Sequence, residues 1–212
     1  MPDEPRIDAI RAVTGAVFDR LDPGRTRIFL HEILSWNEHL GLVSRRDPVA
    51  VIARLMCRSV RLWDCVEAHG TPDSNVRVAD IGPGAGFPGV VWTLLSPRPQ
   101  VTLIERKTRR AVFLERLATR LPRLTVVEAE AETLAADPGH RGRYGVVTML
   151  AVADPAAISG AISPLLAPAG LLANVRSALT GAAPHELDGG MALVGEWIEN
   201  DGRYVLYQRT PG

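Results

Sequence analysis

From residue 76 onward, short apolar runs alternate with stretches of helix length, and this alternation constrains the fold more than any other feature of the chain. The runs are Val76 to Ile81, Val101 to Ile104, Leu124 to Val127, Tyr144 to Leu150 and Leu171 to Val175, all too short for buried helices. Between them the pattern predicts helices over Pro88 to Leu95, Thr108 to Arg120, a short piece at Glu132 to Ala135, and Pro155 to Leu166. Strands joined by crossover helices imply a mostly parallel sheet covered on both faces. The end of the chain breaks the alternation. Met191 to Ile198 and Arg203 to Gln208 flank Asn200-Asp201-Gly202, and Asp-Gly is a hairpin signal because its turn needs positive φ.

The first 70 residues read differently. Ile7, Ile10, Val13 and Val17 recur at helical spacing until Asp22-Pro23-Gly24 interrupts them, and a second stripe follows through Ile28, Leu30, Ile33, Leu34 and Leu40. A third helix is predicted to start at Asp47-Pro48, where Asp caps the free amides and Pro suits the first helical position, and to continue through Val51, Ile52, Leu55, Leu62 and Val66. The polar stretch Thr71 to Asn75 ends this part, so the expected division is a small helical lobe over 1–70 and an α/β core over 71–212. No internal repeats or low-complexity tracts occur.

Composition excludes several classes. With 212 residues and 46% hydrophobic content the chain can bury a core of one ordinary domain, which excludes disorder, collagen-like sequence and simple coiled coil. Its 24 basic and 24 acidic residues cancel, which argues against coating nucleic acid by bulk charge but leaves local basic faces open. No apolar run approaches the roughly 18 to 20 residues of a membrane span, and the Met-Pro-Asp-Glu-Pro start lacks signal-peptide features, so a cytoplasmic protein without a membrane partner is expected. Cys57 and Cys65 lie eight apart in a helical stretch and read as free thiols; they and the five histidines show no metal-ligand spacing. Oligomeric state is left open, with a monomer compatible.

The densest chemical signal is Val78-Ala79-Asp80-Ile81-Gly82-Pro83-Gly84-Ala85-Gly86-Phe87-Pro88-Gly89. A buried strand ends in an acid, and Gly82, Gly84 and Gly86 let the backbone turn sharply and approach a ligand. A dinucleotide loop needs glycines at positions one, three and six, but here the sixth is Phe87, and Asp80 would place a carboxylate where a pyrophosphate should lie. A carboxylate suits a cationic ligand end instead, such as the amino group and sulfonium of S-adenosylmethionine (SAM). Glu105 ends the next strand, 23 residues after Gly82, where an acid can accept both ribose hydroxyls of an adenosine. Glu130-Ala131-Glu132 follows the third strand, in position for the adenine.

These segments, with Trp36-Asn37, the Arg46-Asp47-Pro48 turn, the trailing Phe87-Pro88-Gly89 and Arg110 to Leu114, resemble the RsmG (GidB) family of SAM-dependent methyltransferases, which modify a guanine at N7 in small-subunit ribosomal RNA. The resemblance covers nearly the whole chain. It implies a class I SAM methyltransferase fold, a Rossmann-like seven-stranded sheet with an antiparallel C-terminal hairpin, and it implies that Gly82 and Phe87 line the cofactor pocket, Glu105 faces the ribose and Ala131-Glu132 sits against the adenine.

Presumed substrate-side positions depart from the family pattern. Gly41-Leu42-Val43 stands where the family has Asn-Leu-Thr and loses two polar groups, Arg54-Leu55-Met56-Cys57-Arg58-Ser59 lacks a family His and Asp, Leu150-Ala151-Val152-Ala153 lacks an arginine, and Arg176-Ser177 replaces Lys-Gly. Those departures favour a small-molecule acceptor, most simply a heteroaromatic ring nitrogen, with Arg45, Arg58, Leu150 and Arg176 near it. The alternatives are a ribosomal RNA guanine-N7 methyltransferase and a SAM-binding module without catalysis. Guanine N7 attacks with a lone pair and needs no base, so no catalytic residue is singled out. Residues 98 to 123 carry eight basic side chains against Glu105 and Glu115, which reads either as an RNA-facing patch or as a solvated helix surface. Arg45, Arg46, Arg54, Arg58 and Arg61 could grip phosphates. Trp36, Trp63 and Trp92 could stack on a base, although aromatics at helical spacing are usually core.

Overall fold

In the N-terminal helices, caps rather than composition set the boundaries. The structure, a computed structural model, describes residues 3–70, 75–96, 99–150, 155–199 and 202–210. Helix α1 (Glu4–Thr14) and the short α2 (Ala16–Asp19) are separated at Gly15, whose φ of 51° stops the helix. Ile7 and Ile10 are buried as their spacing predicts, but Val13 is 64% exposed, since the break carries Val17 onto a separate turn. Helix α3 (Pro23–Leu40) begins where Asp22 accepts the Arg25 amide at 3.0 Å and ends at Gly41 in the left-handed region. Helix α4 (Pro48–His69) begins on Asp47, which accepts the Ala50 amide at 3.0 Å.

The sheet contains β1 (Arg77–Ile81), β2 (Gln100–Ile104), β3 (Leu124–Val127), β4 (Tyr144–Leu150), β5 (Leu166–Arg176), β6 (Glu186–Leu187), β7 (Met191–Glu199) and β8 (Gly202–Arg209), in the order β3-β2-β1-β4-β5-β8-β7-β6. The first five are parallel, and β8, β7 and β6 are antiparallel additions. The expected seven strands are joined by the two-residue β6, too short to leave a pattern in the sequence. Strand β5 also starts earlier than predicted. Its first residues pair Leu166 with Tyr144 before a register shift near Gly170, so the apolar run that reads as the end of a helix over Pro155 to Leu166 is helix α8 (Pro155–Ile162), a 3₁₀ turn, and then strand. Asn200 and Asp201 of the predicted hairpin turn, Thr71 to Ser74 of the polar loop, and Ala151 to Ala153 lie outside the described residues.

Helices α5 (Gly89–Leu94), α6 (Thr108–Ala118) and α7 (Ala131–Ala136) complete the crossovers. One apolar core joins α1, α3, α4, α5 and α6 to one sheet face; a second lies between the other face and α7 and α8. Trp63 and Trp92 meet at 5.0 Å in the first core, and the Trp92 indole donates to the Ser59 carbonyl at 2.7 Å. Both are therefore spent on joining α4 to α5. Among the described residues no helix is long and apolar enough to cross a membrane. Cys57 is half-buried and Cys65 buried, and burial pushes the Cys65 thiol up to about 11.

Candidate functional site

In an open parallel sheet the chain progresses outward in both directions from one point, and the loops leaving the strands diverge there to open a crevice. That point lies between β1 and β4. A cleft of about 530 Å³ occupies it, a size that suits a nucleoside-sized ligand. Its walls come from the loops after β1, β2 and β3, with Leu150 at the end of β4 and Leu42 and Leu55 from the helical part.

The glycine loop is held from two sides. The Gly86 and Phe87 amides both donate to the Pro83 carbonyl, at 2.8 and 3.1 Å, and fold the loop back on itself. Gly84 has φ of 56°, which favours glycine, and a Cβ there would make only ordinary contacts, with Arg110 Nη1 at 3.8 Å and the Gly82 carbonyl oxygen at 3.9 Å; its missing side chain leaves the loop backbone bare where it lines the cleft. Gly86 serves packing instead. Its φ is 99° and a Cβ would meet Val90 Cγ2 at 2.7 Å. Phe87 is buried, edge-on to Phe29 at 5.4 Å, and gives the cleft an apolar wall.

Glu105 is 3% exposed and lines the same cleft. Its Oε2 accepts the Gly84 amide at 3.3 Å and its Oε1 accepts the Lys107 amide at 2.9 Å. Each carboxylate oxygen keeps lone-pair capacity for a ligand hydroxyl. This acid thus fixes the glycine loop and faces the cavity at once. Ala131 and Glu132 open α7 on the opposite wall, beside Glu130, which lies 3.4 Å from Arg106. Among the described residues three acids (Glu105, Glu130, Glu132) and three bases (Arg106, Lys107, Arg110) line the cleft. An open cradle at Gly84, a buried carboxylate and an apolar wall fit a cationic nucleoside such as SAM.

Of the residues singled out from the sequence, Gly82, Gly84, Phe87, Glu105, Ala131, Glu132 and Leu150 share this cleft. Asp80 and Gly86 stand behind it. Asp80 is fully buried, its Oδ2 accepts the Gly89 amide at 2.8 Å, and its Oδ1 has no hydrogen-bond partner among the described residues. Burial above all pushes its carboxyl well above the ordinary range, against the Gly89 amide and with the Glu105 charge, and the Gly89 bond ties Asp80 to the start of α5. Arg45, Arg58 and Arg176 are not in the lining. Arg45 donates to the Glu38 carbonyl at 2.9 Å, Arg58 reaches toward Gly202 of β8, and Arg176 ends β5 with its Nη1 buried.

Of the substrate-side departures, Leu42, Leu55 and Leu150 line the cleft and others pack in the core. Leu42 and Val43 are buried, the Val43 amide donates to Asn37 Oδ1 at 2.8 Å, and Met56 is fully buried. In the basic stretch, Arg116 and Arg120 both bind the buried Glu32 of α3, at 2.8 and 2.5 Å. Arg98 lies outside the described residues. Sequence reasoning did not assign Lys107 or Arg110 individually to the cleft, although both follow directly on Glu105.

A family model described as GidB, rRNA small subunit methyltransferase G, matches residues 24–188. A protein of Roseiflexus sp. strain RS-1 named ribosomal RNA small subunit methyltransferase G is 38% identical over 136 residues, 63% of this chain and 56% of the relative. A namesake from Streptococcus pneumoniae serotype 19F is 28% identical over 181 residues, 84% of this chain and 75% of the relative. In the first of these matches the chain spans about half the length of its relative. Among solved structures, a mutant of MtNAS in complex with S-adenosylmethionine superposes with a TM-score of 0.61 at 14% identity, over 90% of this chain and 77% of that one, a likeness of fold alone. The small-molecule acceptor favoured by the sequence finds no support in these comparisons, whereas the ribosomal alternative does.

Proposed function

The chain belongs to the GidB family of small-subunit ribosomal RNA methyltransferases, and from that premise we propose that it transfers a methyl group from SAM to a ring nitrogen, guanine N7, of small-subunit ribosomal RNA in the cytoplasm. The observation that carries the reading is the buried Glu105 carboxylate, bonded to the Gly84 amide and open to the cleft. In this reading Glu105 accepts the ribose hydroxyls, the Gly82 to Phe87 loop receives the amino-acid end, and Ala131 with Glu132 borders the adenine.

Bound SAM supplies an electrophilic methyl carbon on a sulfonium. The chain's own work is then to orient and to exclude water. A ring nitrogen with a free lone pair needs no proton removed, so positioning can supply several kcal/mol of the barrier, up to about 7–11 in the best-oriented model reactions. Phe87, Leu42, Leu55 and Leu150 give the cleft apolar surface that sheds water. Lys107 and Arg110 border it with charges that suit an RNA phosphate. The helical segment 1–70 serves as a lobe that closes the acceptor side through Leu42 and Leu55.

The test offers purified protein and methyl-labelled SAM to small ribosomal subunits lacking the modification and, separately, to a metabolite extract. Stoichiometric label in the RNA is expected. Label confined to the extract restores the small-molecule acceptor, and SAM binding without transfer to either leaves a cofactor-binding module.

A further inference from the structure

A second cleft, of about 470 Å³, lies at the other end of the parallel strands, where β1, β2, β3 and β4 begin. Among the described residues three arginines line it, Arg77, Arg123 and Arg143, and no acidic residue does. Sheet register places Arg77 beside Gln100 and Thr102 beside Thr125, so hydroxyl and amide groups sit among the arginines. Tyr144 is buried at the start of β4, with its hydroxyl 2.7 Å from His140 Nδ1. Burial foremost holds the Tyr144 phenol above its ordinary range, so it keeps its proton at neutral pH.

Several arginines elsewhere in this chain are paired with acids. Arg116 and Arg120 share Glu32, Arg20 pairs with Asp64, and Arg203 with Glu196. Among the described residues Arg77 and Arg143 form no ion pair. The carboxyl ends of helices α5 and α6 point toward this end of the sheet, and each adds a partial charge of about −0.5, which the two full positive charges of Arg77 and Arg143 outweigh. The result is a concave, cationic site rich in donors. Guanidinium forks match phosphate oxygens two at a time, and hydroxyls complete such a shell.

We propose that this cleft binds a phosphate group, presented either by an RNA backbone or by a free phosphate-bearing small molecule. It is distinct from the cofactor cleft, from which the length of β1 separates it: five residues, or about 16 Å. The site does not depend on the methyl-transfer reading.

Two probes test it, pyrophosphate by calorimetry and a short labelled single-stranded RNA by fluorescence anisotropy, on the full chain and on the double variant Arg77→Ala/Arg143→Ala. The wild-type chain binds at least one probe, and the variant loses at least about tenfold of that affinity, since each lost bond is charge-assisted. If RNA is the source, RNA affinity falls and its salt dependence flattens by about 1.4 in log–log slope, two contacts at about 0.7 each. If a small molecule is the source, pyrophosphate binding falls and RNA binding stays. SAM affinity is unchanged in either case. Wild-type protein that binds neither probe, or a double variant that keeps every affinity, overturns the site. Phenylglyoxal labelling of the wild type gives a check free of mutation: whichever probe binds slows modification of Arg143, and an unchanged rate counts against the proposal.

Discussion

The two clefts sit at opposite ends of the same strands and differ in how charge is arranged. At the carboxyl ends, three acids and three bases line one cavity, and the buried acid Glu105 is tied to backbone amides of the loop it supports. At the amino ends, three arginines line the other cavity with hydroxyl-bearing residues, and among the described residues no acid joins that lining. A zero net charge therefore conceals two separate electrostatic sites. The mixed cleft suits a ligand carrying a cation and a neutral ring, the cationic cleft an anion. What separates them is the placement of carboxylates, because arginine is common throughout the chain, with 23 copies against one lysine.

The change that tests the mixed cleft most severely is Glu105→Ala. It removes the group that would accept the ribose hydroxyls and frees the Gly84 and Lys107 amides. Charge-assisted hydrogen bonds contribute about 1.5 to 3 kcal/mol, so SAM affinity measured by calorimetry should fall between about tenfold and a hundredfold. Glu105→Gln keeps an acceptor and should fall between the two. Pyrophosphate binding at the other end should not change. If Glu105→Ala weakened both, the clefts would be one coupled unit and the contrast would fail.

How legible each cleft was in the sequence follows from where its residues lie along the chain. Asp80 to Gly89 are contiguous, and Glu105 and Glu132 come directly after strands, so counting from strand ends brings Gly84, Glu105 and Glu132 together without coordinates. Asp80 shows the limit of that counting. A strand end fixes the residue but not which sheet face it takes, and Asp80 falls on the face covered by α5. The arginine cleft could not be read at all, because Arg77 begins β1 while Arg123 and Arg143 come just before β3 and β4, far apart along the chain, and only the parallel register aligns them. The parallel core was legible for the same reason as the first cleft, since each strand is a local apolar run. The edge strand β6 has two residues and exists only through pairing with β7.

A smaller effect distinguishes arginines used for folding from Arg77 and Arg143, which form no ion pair among the described residues. Burial alone would raise the Glu32 carboxyl, but the Arg116 and Arg120 guanidiniums outweigh it and hold it below its ordinary value. A depressed native value stabilises the fold above the unfolded pKa of about 4.3, and that contribution is lost as pH falls through the native value. Glu32→Gln should cost about 1 kcal/mol at neutral pH, a figure kept low because both guanidiniums are largely solvated. In urea unfolding the deficit should shrink below about pH 4. A deficit that stayed constant with pH would show that Glu32 acts through packing, and would remove the distinction between paired and unpaired arginines.

The smallest expected effect is the most discriminating for Asp80. Its native carboxyl lies well above the ordinary range, chiefly through burial, so folding favours the protonated acid. That contribution is present in full below the unfolded value of about 3.9 and is lost as pH rises toward the native one. Asp80→Asn carries no charge at any pH, and its amide oxygen can still accept the Gly89 amide. The variant should therefore gain on the wild type as pH rises from 5 to 8, read from urea midpoints at the two values, while SAM affinity stays within about twofold because the side chain is behind the cleft. A tenfold loss of SAM affinity with unchanged stability would place the Asp80 charge in contact with the ligand. The carboxyl-end cleft would then be acidic rather than balanced, and the two ends of the sheet would differ in the sign of their charge as well as in its arrangement.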